Sequence, residues 1–160
     1  MKPVAASAEA VCQAIQKTAR EEPYARKLGI RCVDVEPGYC RVEMIVDDDM
    51  VNIFGITHGG AVFSLIDEAF QTACNSHGVV ALALNVSVTY VSASSPGDHL
   101  IAEARETSLT KRTATYGIRV TRKDGSVVAL AQALAYRKNE ALPFLQVTVP
   151  ADLPSGLPSA

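Results

Sequence analysis

The sequence predicts an α+β domain: a curved antiparallel sheet wrapped around one central helix, with an extra helix at the N-terminus. Three observations carry that prediction. From Gly60 to Asn75 the chain reads as a helix that is apolar on nearly all sides. Ala61, Val62, Phe63, Leu65, Ile66, Ala69, Phe70, Ala73 and Cys74 spread around it, and such a helix belongs inside a protein. After it the apolar period switches to two, through four strands separated by short turns, with a two-strand hairpin before it. Short turns join antiparallel neighbours, and one helix stays dry only if that sheet curls around it.

In chain order, Ser7 is placed to cap a helix running to about Glu22, where Pro23 follows. Ala8, Val11, Cys12, Ile15 and Ala19 fall on one face of it, so it lies on something larger. A strand from Arg31 to Glu36, a Pro37-Gly38 turn and a partner from Tyr39 to Val46 form the hairpin. The run Asp47-Asp48-Asp49 reads as a solvated loop. Beyond the central helix, Leu82, Leu84, Val86, Val88 and Tyr90 alternate with Ala83, Asn85, Ser87 and Thr89, giving a strand from Ala81 to Val91 with one apolar face. Ser95-Pro96-Gly97-Asp98 breaks it. Strands His99 to Leu109 and Thr113 to Arg122 come next, then the hairpin signal Asp124-Gly125. The last strand, Val127 to Arg137, sets Val127, Ala129, Ala131, Ala133 and Ala135 on one face, a row on which the central helix can approach closely. The whole chain, 1–160, reads as one domain with its core over about 25–138, the N-terminal helix over about 7–22 and a proline-rich tail over about 140–160 that ends as an ordered arm or a frayed terminus.

Composition narrows the function classes. At 48% hydrophobic and 20% charged residues the chain is not of the disordered class. A formal net charge of −2 supplies no basic field and argues against a nucleic-acid partner. Cys12, Cys32, Cys40 and Cys74 lack C-x-x-C spacing and sit in apolar patterns, as buried thiols of a reducing compartment do. The first residues hold one Lys and no long apolar stretch, so they do not read as a signal peptide, and no apolar run nears the roughly 18 residues of a membrane span. The expectation is a cytoplasmic protein with no membrane partner.

Asp67 and Glu68 sit mid-helix, and no Lys or Arg lies between His58 and Gly78 to pair with them. A carboxylate in such surroundings is costly unless something uses it. Asn52, five residues, His58-Gly59-Gly60, six residues, Asp67 resembles the signature of hotdog-fold acyl-CoA thioesterases of the phenylacetate-pathway (PaaI-like) type. Gly55, Phe63, Leu65, Ala69 and Cys74-Asn75-Ser76-His77-Gly78 fit that family too, and the likeness covers roughly residues 25 to 138. It implies the hotdog fold and hydrolysis of an acyl-CoA thioester, with no cofactor beyond the CoA that the substrate carries. It also implies a homodimer or homotetramer with its site between subunits, Asp67 of one chain working with Asn52, His58 and Gly59 of the other.

Elementary chemistry agrees with those roles. Gly59 and Gly60 stand at a helix N-terminus with unpaired N–H groups, where a thioester oxygen can approach because no side chain intervenes; the other reading is that they only permit a tight helix entry. Asp67 is seven residues past Gly60, nearly two turns and so about the same face. It can attack the carbonyl or act as general base on water, and the sequence does not separate the two. Glu68 points about 100° away and reads as a partner-facing or capping carboxylate, although in several related enzymes the acid is a Glu. Asn52 is a turn former or holds water or the carbonyl by its amide; His58 donates to the carbonyl or braces the loop. His77 and His99 have no ligand-spaced partners, so no metal site is expected.

Thr110-Lys111-Arg112-Thr113 resembles the family's basic segment near the CoA phosphates, and is otherwise an ordinary hairpin turn. Ser95, in Ser94-Ser95-Pro96-Gly97, is placed to touch the pantetheine. In relatives a Ser or Thr of the strand after the helix holds the attacking water, a region occupied here by Ala83, Asn85, Ser87 and Thr89. Phe54, Phe63 and Phe70 line an acyl pocket or, for the last two, serve as core. A small aromatic or medium-chain acyl group is the expected substrate. The rival reading is a non-catalytic acyl-CoA or acyl-lipid binding or sensing module; a dehydratase would want a different arrangement of His and acid.

Overall fold

The computed structural model describes residues 6–145, so the tail from residue 146 onward lies outside the described residues. Ser7 caps α1 (Ala8–Glu21), its hydroxyl accepting from the Ala10 N–H at 3.2 Å. The helix buries Val11, Cys12, Ile15 and Ala19, while Ala8 stays exposed. Pro23 does not end helical structure as expected. It opens a second short helix, α2 (Pro23–Lys27), at a first-turn position where a missing N–H costs nothing.

β1 (Arg31–Glu36) and β2 (Tyr39–Ile45) form the first hairpin. The acidic run is not plain loop but one 3-10 turn, Asp48–Met50, capped by Asp47 and anchored by buried Met50. Next come α3 (Gly59–Asn75), β3 (Val79–Tyr90), β4 (His99–Leu109), β5 (Thr113–Arg122) and β6 (Val127–Ala141). The six strands make one antiparallel sheet in the order β1-β2-β4-β5-β6-β3. α3 therefore carries the chain from one margin of the sheet to the other, and the sheet curls around it.

α3 buries Ala61, Val62, Leu65, Ile66, Ala69, Phe70, Ala73 and Cys74, with Phe70 meeting Tyr116 edge-on at 5.5 Å between ring centroids. Enclosure is not complete, however. Ser64, Asp67, Gln71 and Asn75 are half-buried and, at spacings of three and four, form one seam along the helix; Phe63 is exposed beside it. The helix end is tied down: Ser76 Oγ accepts from the Gly38 N–H and donates to the Ala73 carbonyl, both at 2.7 Å. Glu106 Oε2 takes His77 Nε2 at 2.6 Å and the Tyr116 hydroxyl at 2.9 Å. All four cysteines are buried and free, Cys32 Sγ lying 3.9 Å from Cys40 Sγ.

Two strand expectations need correction. β3 does not alternate without interruption, because its pairing with β6 slips between Val79 and Ala81 and again between Ala83 and Asn85. Each slip changes the face a side chain meets, so Ala81, Val86 and Val88 reach the core whereas Leu82 and Leu84 are more than half exposed. β6 runs four residues longer than expected; its alanines line the same core as α3, although the helix lies closer over β2 and β4. β3 itself is a 12-residue edge strand with no neighbour on its outer side among the described residues.

Phe70→Ala is expected to cost about 3–5 kcal/mol of unfolding free energy, since it empties a close-packed site. Urea denaturation measures it, and a loss below about 1 kcal/mol would mean that the Phe70–Tyr116 contact is not a keystone of the core.

Candidate active site

The chain from Val51 to His58 is a short hairpin whose shape Asn52 dictates. Its N–H donates to the Ile56 carbonyl at 2.8 Å, its carbonyl accepts from the Gly55 N–H at 3.0 Å, and its side-chain Oδ1 accepts from the Phe54 N–H at 2.9 Å. Gly55 holds φ of 75°, a left-handed conformation that side chains disfavour. Asn52 is therefore a turn former here, and its Nδ2 remains as a donor. The hairpin tip projects Ile53, 93% exposed, and Phe54, 79% exposed. Its base is pinned by the Thr57 N–H on the Ser94 carbonyl and by Ser94 Oγ donating to Thr57 Oγ1, each at 2.8 Å. Ser95 sits exposed beside that pin.

His58 is the N-cap of α3, its Nδ1 accepting from the Gly60 N–H at 2.8 Å. In the neutral ring that leaves the proton on Nε2, free to donate. The same bond occupies Gly60, so the open N–H at this helix end belongs to Gly59, which meets no acceptor among the described residues. Both glycines have steric reasons. A Cβ on Gly60 would stand 3.0 Å from His58 Nδ1, and one on Gly59 would stand 3.3 Å from the Tyr90 ring. Tyr90, whose role the sequence did not disclose, donates its hydroxyl to the Gly59 carbonyl at 3.0 Å and fixes that peptide. Asn52, Gly59 and Tyr90 line one cavity of about 310 Å³.

Asp67 lines a different cavity, of about 330 Å³, which opens on the α3 seam between α1, the start of β3 and residues 142–144. Ile15, Ala19, Phe70 and Leu142 give it apolar walls, and Glu22, Gln71 and Asn75 polar ones. Along the helix axis Asp67 is about 12 Å from Gly59. One chain thus holds the sequence-predicted residues as two halves. Lys111 and Arg112 are exposed on the β4–β5 turn, at the sheet end that carries Leu82, and not near the Asn52 hairpin. Arg137 braces that turn by donating to the Thr110 carbonyl at 2.7 Å. Phe70 is core as well as cavity wall. Among the described residues no three His, Cys, Asp or Glu side chains gather as metal ligands, and no helix is long and apolar enough to cross a membrane.

Glu68 is neither partner-facing nor a cap: it is 5% exposed and turned inward, Oε2 accepting from Gln71 Nε2 at 2.6 Å and Oε1 without a partner among the described residues. Gln71 Nε2 also donates to Glu22 Oε2 at 2.5 Å, which joins Glu22, Glu68 and, through the shared cavity, Asp67 into one acidic group. Glu22 and Gln71 were not legible as site residues, because Glu22 read only as the end of a helix.

A family model of the thioesterase superfamily matches residues 54–129. The chain is 44% identical to an Archaeoglobus fulgidus protein named as an esterase, over 72% of this chain and 75% of that one. It is 34% identical to the acyl-coenzyme A thioesterase PaaI of Escherichia coli, over 71% of this chain and 81% of that one. The solved E. coli PaaI structure superposes with a TM-score of 0.80 at 29% identity, covering 85% of this chain and 99% of the other. A Streptococcus mutans protein solved with acetyl CoA gives a TM-score of 0.68 at 26% identity, covering 71% and 91%.

Burial first, then the charge of Glu22, holds the Asp67 carboxyl above the usual carboxylate range. Burial and Glu22 likewise push Glu68 up to about 7, with Asp67 adding to the effect. The native state then keeps a proton that the unfolded chain releases from about pH 4.5 upward. Its stabilisation is complete below that pH and disappears as pH rises through 7, a change of about 3 kcal/mol. Glu68→Gln should remove this pH dependence, so that its urea midpoint exceeds wild type at pH 8 relative to pH 4.5. Parallel wild-type and variant profiles over that window would contradict a raised Glu68 pKa.

Proposed function

Because the chain belongs to the thioesterase superfamily, as a PaaI-like hotdog thioester hydrolase, we propose that it hydrolyses an acyl-CoA to the free acid and CoA at a site completed by a second copy of itself. The observation that carries this is the separation of the two halves. In one chain Gly59 and Asp67, about 12 Å apart along the helix axis, open into different cavities. The β3 edge is open, with Leu82, Leu84 and Tyr90 more than half exposed along it, and the hairpin tip exposes Ile53 and Phe54. Unpaired edges with exposed apolar side chains along them are ordinarily covered. A two-fold pairing of β3 with its counterpart covers both and sets Asp67 of one protomer against the Asn52 hairpin and α3 N-terminus of its partner.

In that arrangement the thioester oxygen takes the Gly59 N–H, with the positive end of the α3 dipole behind it and His58 Nε2 as second donor. Asn52 Nδ2 steadies the carbonyl or the water. Asp67 then acts in one of two ways. As nucleophile it forms a mixed anhydride that water cleaves; as general base it takes a proton from water that attacks the carbonyl directly. Either route breaks the C–S bond and expels the CoA thiolate. The apolar wall of Ile15, Ala19, Phe70 and Leu142 suits a small aromatic or medium-chain acyl group. Lys111, Arg112 and Ser95 suit the CoA moiety, the first two through its phosphates.

Thiol release from a panel of acyl-CoAs, acetyl through phenylacetyl to long-chain, tests the reading. Asp67→Asn should lower kcat by at least about 100-fold with the fold and assembly unchanged. Equal rates in variant and wild type would remove Asp67 from the chemistry, and tight binding of an acyl-CoA with no turnover in wild type would make the protein a binding module.

A further inference from the structure

On the far side of the sheet from β3 lies a cleft of about 670 Å³ that the thioester chemistry does not use. Three arginines from three elements line it: Arg20 from the last turn of α1, Arg26 from the last turn of α2 and Arg31 from the first position of β1. We propose that this cleft is a binding site for a phosphorylated small molecule.

The charge in the cleft is not balanced from within. Its one acidic wall residue, Glu43, is met at 2.8 Å by Arg41 and at 3.1 Å by His99, whereas Arg31 stands 3.8 Å away. Arg26 makes no ion pair or side-chain hydrogen bond among the described residues. Of the two carboxylates that follow Arg20 in sequence, Glu21 is exposed and does not line the cleft, and Glu22 is turned to Gln71 and the Asp67 cavity. Arg20 is held in place by its Nε–H on the Cys32 carbonyl at 3.2 Å, and its terminal nitrogens have no hydrogen-bond partner among the described residues. The negative helix ends of α1 and α2 account for a cation at Arg20 and another at Arg26. They do not account for the convergence of both with Arg31 on one concave surface in a chain whose net charge is −2.

Three planar forks around one cleft match the oxygens of a phosphoester or pyrophosphate, which takes bidentate hydrogen bonds from several arginines at once. The volume is that of a small-molecule site, not of a lone ion. Gly29, Ile30 and Val33 supply an uncharged wall for the remainder of the ligand. Such a phosphate group belongs either to a free small effector or to the nucleotide end of a substrate.

Calorimetric titration of the full chain with inorganic pyrophosphate, and with adenosine 3′,5′-bisphosphate, tests the site. Wild type should bind pyrophosphate saturably, and Arg26→Gln/Arg31→Gln should weaken that binding at least tenfold, while Lys123→Gln, on the β5–β6 turn and outside the cleft lining, should not. Both arginines are exposed, so the double variant should fold as wild type does. If the ligand is a free effector, the variant keeps the wild-type KM for acyl-CoA; if it is the nucleotide end of the substrate, that KM rises with the loss of bisphosphate binding. Absence of saturable pyrophosphate binding by wild type, or equal binding by the double variant, would overturn the proposal without touching the thioester reading, which is measured by thiol release.

Discussion

α3 buries ten of its 17 residues in a sheet that is itself only six strands wide, and that sheet cannot close around the helix on every side. The unfilled side is the seam of Ser64, Asp67, Gln71 and Asn75. α1 is laid along its lower part and leaves a cavity there, and that cavity is where a mid-helix carboxylate can exist at all. Asp67 reaches solvent through it. Glu68, one position on, has no such outlet, and its burial together with the charge of Glu22 pushes its pKa up to about 7. Two adjacent acids on one helix thus differ in environment because one faces the seam and the other faces the core.

The other end of the helix obeys a second constraint, close approach. Gly60 is small because the His58 ring caps it, and Gly59 is small because Tyr90 lies against it. The glycine pair is therefore not merely a flexible entry. It fixes one imidazole tautomer and leaves one backbone N–H open, and those two donors point out of the same helix terminus. Among the described residues no carboxylate of the same chain lines the cavity at Gly59. The exposed β3 edge and the hairpin tip at Ile53 and Phe54 instead surround them with surface that wants a cover.

Much of the fold was legible because burial leaves periodic marks. Ser7, the strand bounds Arg31–Glu36, His99–Leu109 and Thr113–Arg122, and the apolar helix are all readable from spacing and caps. Three features were not. α2 was hidden because Pro23 both ends and begins helices, and its first-turn role depends on the residues C-terminal to it. The two slips in β3 were hidden because Leu-Ala-Leu-Asn alternates well on paper, and a bulge is set by the partner strand. The open seam was hidden because helical periodicity reports which residues are apolar, not how far a sheet can curl. At the site, the spacing of Asn52, His58, Gly59 and Asp67 was visible, but the contacts of Tyr90, Glu22 and Gln71 join elements far apart in sequence and leave no local mark.

The claim on which the account turns is that each site is shared between two chains, and a mixing experiment reads it directly. Asp67→Asn chains and Asn52→Ala/His58→Ala chains are each made alone and then co-assembled in equal amounts. If the site is composite, each hybrid dimer holds one intact site and one doubly defective site. Thioesterase activity should then return to about one quarter of wild type, from two preparations that are inactive apart. If hybrids form and no activity returns, Asp67 works with the Asn52 hairpin of its own chain and the composite site is wrong.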